Sequence, residues 1–468
     1  MFAYDERMAE AVFAYCRERL SEDPVPLDHP VPKADLEAAL AGALTEQGRD
    51  PVTTLNTFTE RVVRSVISCD SPRFLAFVPA APTKASLLFD MVVSASSLQG
   101  TSWLEAAGAV IAENQALSFL AGVAGMPESA GGCFVSGGSA ANLSALVVAR
   151  DVGRQRSGRE KVRVAVSWHA HTSVEKALHI LAVDMLVVEG EGHRLTGASL
   201  GEALRTDPDP SDVVGVVATA GTTNAGIVDD LAGVGEVAKQ RGLWFHVDGA
   251  YGGAALLSGR AEVRRLFHGS GEADSFVVDP HKWLFAPFDC AALLYREPAL
   301  AKKVHSQNAS YLDPIHTGAG EEWNPSDYAY HLTRRARGLA LWYSLAVNGT
   351  AAYGEAVDAA LAMAARAAEL ISGSAHLELV REPGLSIVLF RRRGWQHEDY
   401  WAWSARLLND EVAFVTPTRW EGETVARLIF LHPGTTEEMV QEVLSSMAGA
   451  SRPSATGPTP PEGRSLRQ

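Results

Sequence analysis

From Gly132 to about Arg296 the chain alternates short apolar runs with longer stretches in which apolar residues recur at helical spacing. The short runs are CFVS, VRVAVS, MLVVE, VVGVVAT, LWFHVD, SFVVD and AALLYR. Most are continuous rather than alternating in hydrophobicity, as parallel strands are when helices cover both faces. The pattern predicts an α/β fold of the doubly wound type with a mostly parallel sheet. Upstream, residues 1–65 read as helices broken by EDPVPLDHPVP, whose prolines cannot all be helical, and such a segment can wrap a partner subunit. Residues 66–345 then form the large domain, closing on a long helix near Arg334 to Val347. Residues 346–448 mix helices with the strands LSIVLF and VARLIFL and read as a smaller C-terminal α+β domain. Residues 449–468, ending in SRPSATGPTPPEGRSLRQ, have the composition of a disordered tail.

Composition narrows the functional classes. At 468 residues the chain exceeds the usual size of one hydrophobic core, and 47% hydrophobic with 21% charged residues is ordinary for a globular protein. A net charge of -15 argues against nucleic acid as a partner, because polyanion binders carry basic stripes that displace counterions. The N-terminus has early acidic residues and helical spacing where a secretory signal has a basic start and an unbroken apolar run. No apolar run reaches the roughly 20 residues that span a bilayer. A cytoplasmic protein without membrane attachment is the expectation. Cys16, Cys69, Cys133 and Cys290 are scattered with no CxxC pair, so neither a zinc knuckle nor a disulfide framework is indicated.

Ligands of open α/β sheets sit beyond the carboxyl ends of the strands, and four strand ends carry suggestive chemistry. After CFVS, Gly137 and Gly138 permit a tight turn and Ser139 opens a helix whose free N–H groups can hold a phosphate dianion. An ordinary glycine turn with a serine cap reads the same residues equally well. After VRVAVSW, the Thr172 to Glu175 spacing fits a capping box that leaves His171 exposed before the helix. His169 and His171 have no recognisable third metal ligand nearby, and an imidazole at a turn is often only a local hydrogen-bonding group. Thr222 and Thr223 follow the next strand and can meet a ligand or cap a turn. LWFHVD ends in Asp248, which if buried needs a partner such as Arg264 or Arg265, and the following strand delivers His281 and Lys282. A lysine there can also snorkel to the surface.

Taken together, a phosphate cradle, a ring-facing histidine, a strand-end aspartate and a lysine on the following strand match the needs of pyridoxal 5'-phosphate. The lysine condenses with the aldehyde, and the aspartate keeps the pyridine nitrogen protonated so that the ring accepts electrons.

The segments SPRFLAFVPAAP, GTSW, FVSGGSAANL, HAHTSVEKA, ATAGTT, HVDGAYGG, ADSFVVDPHKWLFAPFDC, RRARGLALW and LIFLHPGTT resemble those of the group II pyridoxal-phosphate-dependent amino acid decarboxylases, from residue 71 to 436. The pair HVDGAYGG and DPHKW is the specific part. The resemblance implies a fold type I (aspartate-aminotransferase-like) domain and an obligate homodimer with shared active sites. It also implies roles by position. Lys282 binds the cofactor's aldehyde, Asp248 pairs with the pyridine nitrogen, Ala250 packs against the ring and His171 stacks on the other face. Gly138, Ser139 and His281 hold the phosphate, and Thr223 lies near the cofactor.

The family's mobile loop supplies a proton-donating tyrosine from the neighbouring subunit, and Tyr328 in SDY matches it best, with Tyr330 the alternative. The activity implied is decarboxylation of an L-amino acid to an amine and carbon dioxide. Segments that line the substrate ring in the aromatic amino acid enzymes retain Phe77 and Trp103 here, while Val78, Gln99 and Thr101 make the lining smaller and more polar. An aromatic or a small apolar or polar amino acid is therefore the expected substrate. An aldehyde synthase is one rival, and a fold type I aminotransferase, for which Arg427 would bind a carboxylate, is another. A non-catalytic relative would be expected to lack Lys282 or Asp248, and both are present.

Overall fold

The computed structural model describes residues 2–307, 310–312 and 322–448. The expected tail at 449–468 and the glycine-rich centre of the expected loop, 313–321, lie outside the described residues. The chain divides into two units, one of Met1–Phe77, Ala365–Glu382 and Val388–Gln468, the other of Val78–Ala364 and Pro383–Ile387. The boundaries anticipated at 65/66 and 345/346 thus fall at 77/78 and 364/365.

The first unit begins with α1 (Glu6–Ser21), α2 (Lys33–Leu40) and α3 (Pro51–Thr57), none of which buries a residue. Asp5 caps α1 through Met8 N, and Asp50 caps α3 with Pro51 at its first position, a site where the missing N–H costs nothing. Residues 66–77 belong to this unit for a local reason. Phe414 N donates to Arg73 O, Leu75 N to Phe414 O and Ile429 N to Leu75 O, so the segment is bonded into the C-terminal part of the same unit.

The second unit holds the sheet. Its strands are β1 (Gly131–Val135), β2 (Arg163–Ser167), β3 (Asp184–Val188), β4 (Val213–Thr219), β5 (Trp244–Asp248), β6 (Ser275–Val278) and β7 (Ala291–Tyr295). The order is β1-β7-β6-β5-β4-β2-β3. Strands β2 to β6 pair in parallel, and β7 runs antiparallel to both β6 and β1. Reversal of β7 follows from its short connection: the chain leaves β6 through Asp279 to Cys290 and returns without a crossover helix. β1, β4, β5, β6 and β7 are buried along their whole length, which accounts for their unbroken apolar runs.

Four helices of this unit bear on the site. They are α4 (Lys84–Ala95), α5 (Trp103–Val123), α6 (Gly138–Ser157), which stops at left-handed Gly158, and α7 (Thr172–Ile180). At 21 residues, α5 is long and apolar enough by average composition to cross a membrane, although Glu105, Glu113, Asn114 and Gln115 interrupt its apolar residues. Its packing is that of a core helix: Val110, Ala116, Leu117 and Leu120 are buried, and Glu113 accepts from Arg334 Nη1 at 2.7 Å and Nη2 at 2.9 Å. The same pair explains why α8 (Leu339–Asn348) starts later than the periodicity of Arg334 to Val347 predicts. Arg334 also donates to Gly100 O and Gly338 N donates to Glu113, so residues 334–338 are committed to a buried ion pair instead of a helical turn. Removing one partner of such a pair costs about 3–5 kcal/mol.

In the C-terminal part of the first unit, β8 (Leu377–Leu379), β9 (Ile387–Arg392), β10 (Thr418–Trp420) and β11 (Glu423–Ile429) form a second sheet in the order β10-β11-β9-β8. Arg427 lies on β11, buried, with Nη2 donating to Thr416 Oγ1 at 3.0 Å.

Candidate active site

The site lies at the carboxyl ends of β1, β2, β4, β5 and β6. Asp248 ends β5 and is buried, so its carboxylate must be satisfied internally. Asn142 Nδ2 donates to Oδ2 at 2.9 Å and Ala250 N to Oδ1 at 3.1 Å. Neither arginine of the ion-pair alternative is involved; Arg264 donates to Ser258 O.

Asn142, one turn into α6, ties a longer network together. Its Oδ1 faces His246 Nε2 at 2.9 Å, and His246 Nδ1 faces Ser275 Oγ at 2.8 Å, which accepts from Trp244 Nε1 at 2.9 Å. Burial pushes the His246 pKa down to about 4 against the pull of Asp248, so the ring is neutral and carries one N–H. The Asp248 carboxylate only accepts, so Asn142 turns Nδ2 to it and Oδ1 to His246, and the remaining proton directions follow. Trp244 donates to Ser275, Ser275 to His246 Nδ1, His246 Nε2 to Asn142 Oδ1, and Asn142 Nδ2 to Asp248. Asn142 Nδ2 also donates to Ser173 Oγ at 3.0 Å. Ser173 in turn meets His171 Nδ1 through both Oγ at 2.8 Å and N at 3.2 Å, leaving the His171 proton on Nε2. His171 thus caps α7 itself, in place of the capping box expected from Thr172 and Glu175. Its pKa is lowered, first by desolvation and then by the Lys282 charge, while Asp248 and Asp279 pull it upward.

Lys282 follows β6 on the segment Asp279 to Cys290. Trp283 is fully buried and stacks on Tyr251 at 5.4 Å, which anchors the segment and sets the neighbouring lysine. The Lys282 side chain is only 19% exposed, so it does not snorkel, and Nζ lies 3.0 Å from Asp279 Oδ2. His281 Nδ1 accepts from Cys290 N, and the ring packs beside Gly137. At the start of α6, Gly138 N donates to Asp279 Oδ2 at 3.1 Å, and Ser139 is exposed in the first turn. A Cβ at Gly138 would lie 2.9 Å from Asp279 Oδ2 and 3.1 Å from Ala250 Cβ, so only glycine fits this approach. After β4, Thr222 takes the capping role by accepting from Ile227 N, while Thr223 is half-buried in the turn that follows; the last residue of β4, Thr219, is the one paired with Asp248.

Other expected residues sit differently. Tyr328 is 4% exposed, stacks on Trp323 at 4.1 Å and packs in the core with Cys133 and Tyr295. Tyr295 pairs with Gly131 and donates to Tyr328 O, which puts Tyr328 at the amino end of β1, roughly 13 Å of strand from the glycine turn. Burial and Asp327 push its phenol well above the usual pKa. The expected loop proton donor, Tyr328, is thus a core ring whose phenol is a weaker acid than usual. Tyr330 is 52% exposed.

Among the residues expected to line the substrate, Gln99 Nε2 donates to Thr101 Oγ1 at 3.4 Å, and Trp103 N to Asn324 Oδ1 at 2.9 Å. Thr101 is buried and Val78 half-buried. Phe77, in the first unit, is 53% exposed with its ring 5.7 Å from Phe414. His169 pairs with His193 at 3.0 Å rather than converging with His171, and no group of three metal-ligating side chains occurs among the described residues.

The residue set fits pyridoxal phosphate. A lysine and an aspartate follow adjacent parallel strands, a helix N-terminus with a glycine turn lies against Asp279, and the buried Asp279 Oδ1 has no hydrogen-bond partner. Fold and site together define a fold type I pyridoxal-phosphate enzyme. Residues 38–393 match the pyridoxal-dependent decarboxylase conserved domain, and the chain belongs to that family. It is 31% identical over 446 residues to the aromatic-L-amino-acid decarboxylase of Bacillus atrophaeus, covering 92% of each chain. It is 30% identical over 431 residues to the L-2,4-diaminobutyrate decarboxylase of Rhizobium meliloti (strain 1021), covering 90% of this chain and 84% of that one. A crystal structure of Oryza sativa TDC with PLP and tryptamine superposes with a TM-score of 0.87 at 25% identity, covering 95% of this chain and 99% of that one. The protein is a pyridoxal-phosphate-dependent carboxy-lyase.

Sequence reasoning missed Asn142 and Asp279. A polar residue of low helix propensity one turn inside an apolar helix was the available signal for Asn142. For Asp279 it was an acid at the end of a wholly apolar strand, three residues before the lysine.

Proposed function

We propose that this carboxy-lyase converts an aromatic L-amino acid to its amine and carbon dioxide, acting as a homodimer. The observation that carries the chemistry is the buried Asp248 carboxylate, held by Asn142 on the same rim of the sheet as Lys282. Pyridoxal phosphate supplies an aldehyde that captures an amine and a ring that draws electrons from the Cα–carboxylate bond. Lys282 provides the resident amine and yields it to the substrate's. Asp248 stabilises a proton on the ring nitrogen, and its fixed Asn142 partner keeps it from turning away. Neutral His171, anchored through Ser173, covers the ring and excludes water. Gly138 N–H, Ser139 and His281 orient the phosphate.

The aromatic substrate is supported by the likeness to the Bacillus atrophaeus aromatic-L-amino-acid decarboxylase along nearly all of both chains. The dimer is supported by the N-terminal segment, whose helices α1 to α3 bury nothing and which exposes Phe2, Phe13 and Phe58. A screen of the common L-amino acids for carbon dioxide release, with amines identified by mass, tests the reading. Tryptophan, tyrosine or phenylalanine should give amine and carbon dioxide in equal amounts without hydrogen peroxide. Turnover of small amino acids alone would reject the aromatic substrate, and peroxide with ammonia would identify an aldehyde synthase.

Protonation of the substrate's Cα falls to Tyr330, the exposed member of the tyrosine pair, presented to the partner subunit. Tyr330→Phe is expected to lower amine formation relative to carbon dioxide release by about 10²-fold, the scale of one lost general acid. Tyr328→Phe should leave the ratio of the two products at unity. Quantifying both products in each variant decides between them, and a changed ratio in Tyr328→Phe alone would show that the core ring leaves its seat.

A further inference from the structure

The amide of Gly138, at the helix start that the reading above gives to the cofactor phosphate, already donates to an anion of this chain. Its acceptor is Asp279 Oδ2 at 3.1 Å, on a carboxylate 1% exposed. The other oxygen, Oδ1, is buried with no hydrogen-bond partner. A phosphate dianion brought to the same amide meets a second negative charge in a site with little water to separate them, and repulsion is strongest there.

The groups facing Asp279 set how that conflict can be relieved. From its own segment come Lys282 Nζ at 3.0 Å and His281 Nε2 at 3.6 Å, and from α6 the Gly138 amide. Cys290, next to β7, is close enough to sense its charge, as is His171 at the start of α7, which also senses Asp248 at the end of β5. Only Lys282 is a strong cation, and it cannot remain a free ammonium while its nitrogen attacks the aldehyde, because the attack requires the neutral amine. Burial lowers the His281 pKa, so that ring offers little compensation.

We propose that Asp279 and the cofactor phosphate share one proton, taken from solvent at each site when pyridoxal phosphate loads. The step is proton uptake alone: one H⁺ enters between an Asp279 carboxylate oxygen and a phosphate oxygen and bonds the two together. No other bond changes at Asp279. The unpartnered oxygen gains a partner, and the Gly138 amide is released to the phosphate. Asp279 is then a positioning residue that makes cofactor affinity depend on pH. The inference rests on residues 138 and 139 holding the phosphate.

Calorimetric titration of the cofactor-stripped full chain at pH 8, where a phosphomonoester is already dianionic, tests it. Proton uptake is obtained from buffers of different ionisation heat, for pyridoxal phosphate and for pyridoxal. Wild type should take up about one more proton with pyridoxal phosphate than with pyridoxal, and Asp279→Asn, whose amide donates without a proton, should show no such difference. As pH rises, wild-type affinity for pyridoxal phosphate should fall about tenfold per unit relative to Asp279→Asn. Equal uptake for the two compounds in wild type overturns the proposal, and that comparison decides even if the variant does not fold. If pyridoxal phosphate binds no more tightly than pyridoxal, the phosphate cradle at Gly138 and Ser139 is what fails.

Discussion

Lys282→Ala is expected to lower the decarboxylation rate by at least about 10⁴-fold, the scale seen when a residue that bonds covalently to the reacting system is lost. Wild-type protein should purify yellow, and borohydride should bleach it while fixing the label to Lys282. The variant should retain no label. Its fold should survive, because the side chain makes one ion pair, to Asp279, and the anchoring of the segment belongs to Trp283 and Tyr251. Loss of the lysine does leave Asp279 buried beside no ammonium, so a modest fall in melting temperature is expected and should shrink at lower pH. Rate, label and melting curve together separate loss of chemistry from loss of structure. A labelled Lys282→Ala protein would mean that another amine holds the cofactor.

The large domain was legible because strands covered on both faces must be apolar throughout, and each of the seven runs from CFVS to AALLYR became a strand. The direction of β7 was not. A buried strand has the same composition whichever way it runs, and only the connection after β6 distinguishes the two. The edges of the units were hidden for a related reason: Arg73 and Leu75 bond to Phe414 across more than 300 positions, and local pattern carries no trace of such a pairing. At the site, Asp248 and Lys282 were readable because a charge at the end of an apolar strand demands an explanation. Asn142 was not, since its partners lie 104 and 106 positions away and its helical neighbours are those of any buried face. Tyr328 shows the converse: proline, serine and aspartate before it have loop composition, and its burial depends on Trp323, whose indole donates to Gly132 O. Aromatic stacking decides that position, and no local spacing encodes it.

Asp248→Asn, an isosteric change, should lower the rate by about 10²–10³-fold, comparable with removing one preorganised electrostatic group at a reacting centre. Charge is only part of the reason. Asn142 turns its N–H to position 248 while its Oδ1 takes the His246 Nε2 proton, and Ala250 N donates to the other oxygen. An asparagine at 248 has one oxygen for two donors, and an N–H left facing an N–H costs about 1–3 kcal/mol when buried. Either the new amide turns its oxygen to Asn142 and strains the Ala250 turn, or the reverse, and the ring nitrogen loses its anion in both cases. Asn142→Leu separates the two contributions. It keeps the Asp248 charge but removes its orienting donor and the acceptor of His246 Nε2, and should weaken cofactor binding about 10–100-fold, as losing a group that orients a direct ligand does. Stopped-flow rates and cofactor titrations of both variants check the division. Full activity in Asp248→Asn would exclude the carboxylate as partner of the ring nitrogen, and unchanged cofactor binding in Asn142→Leu would show that Asp248 holds its position without the network.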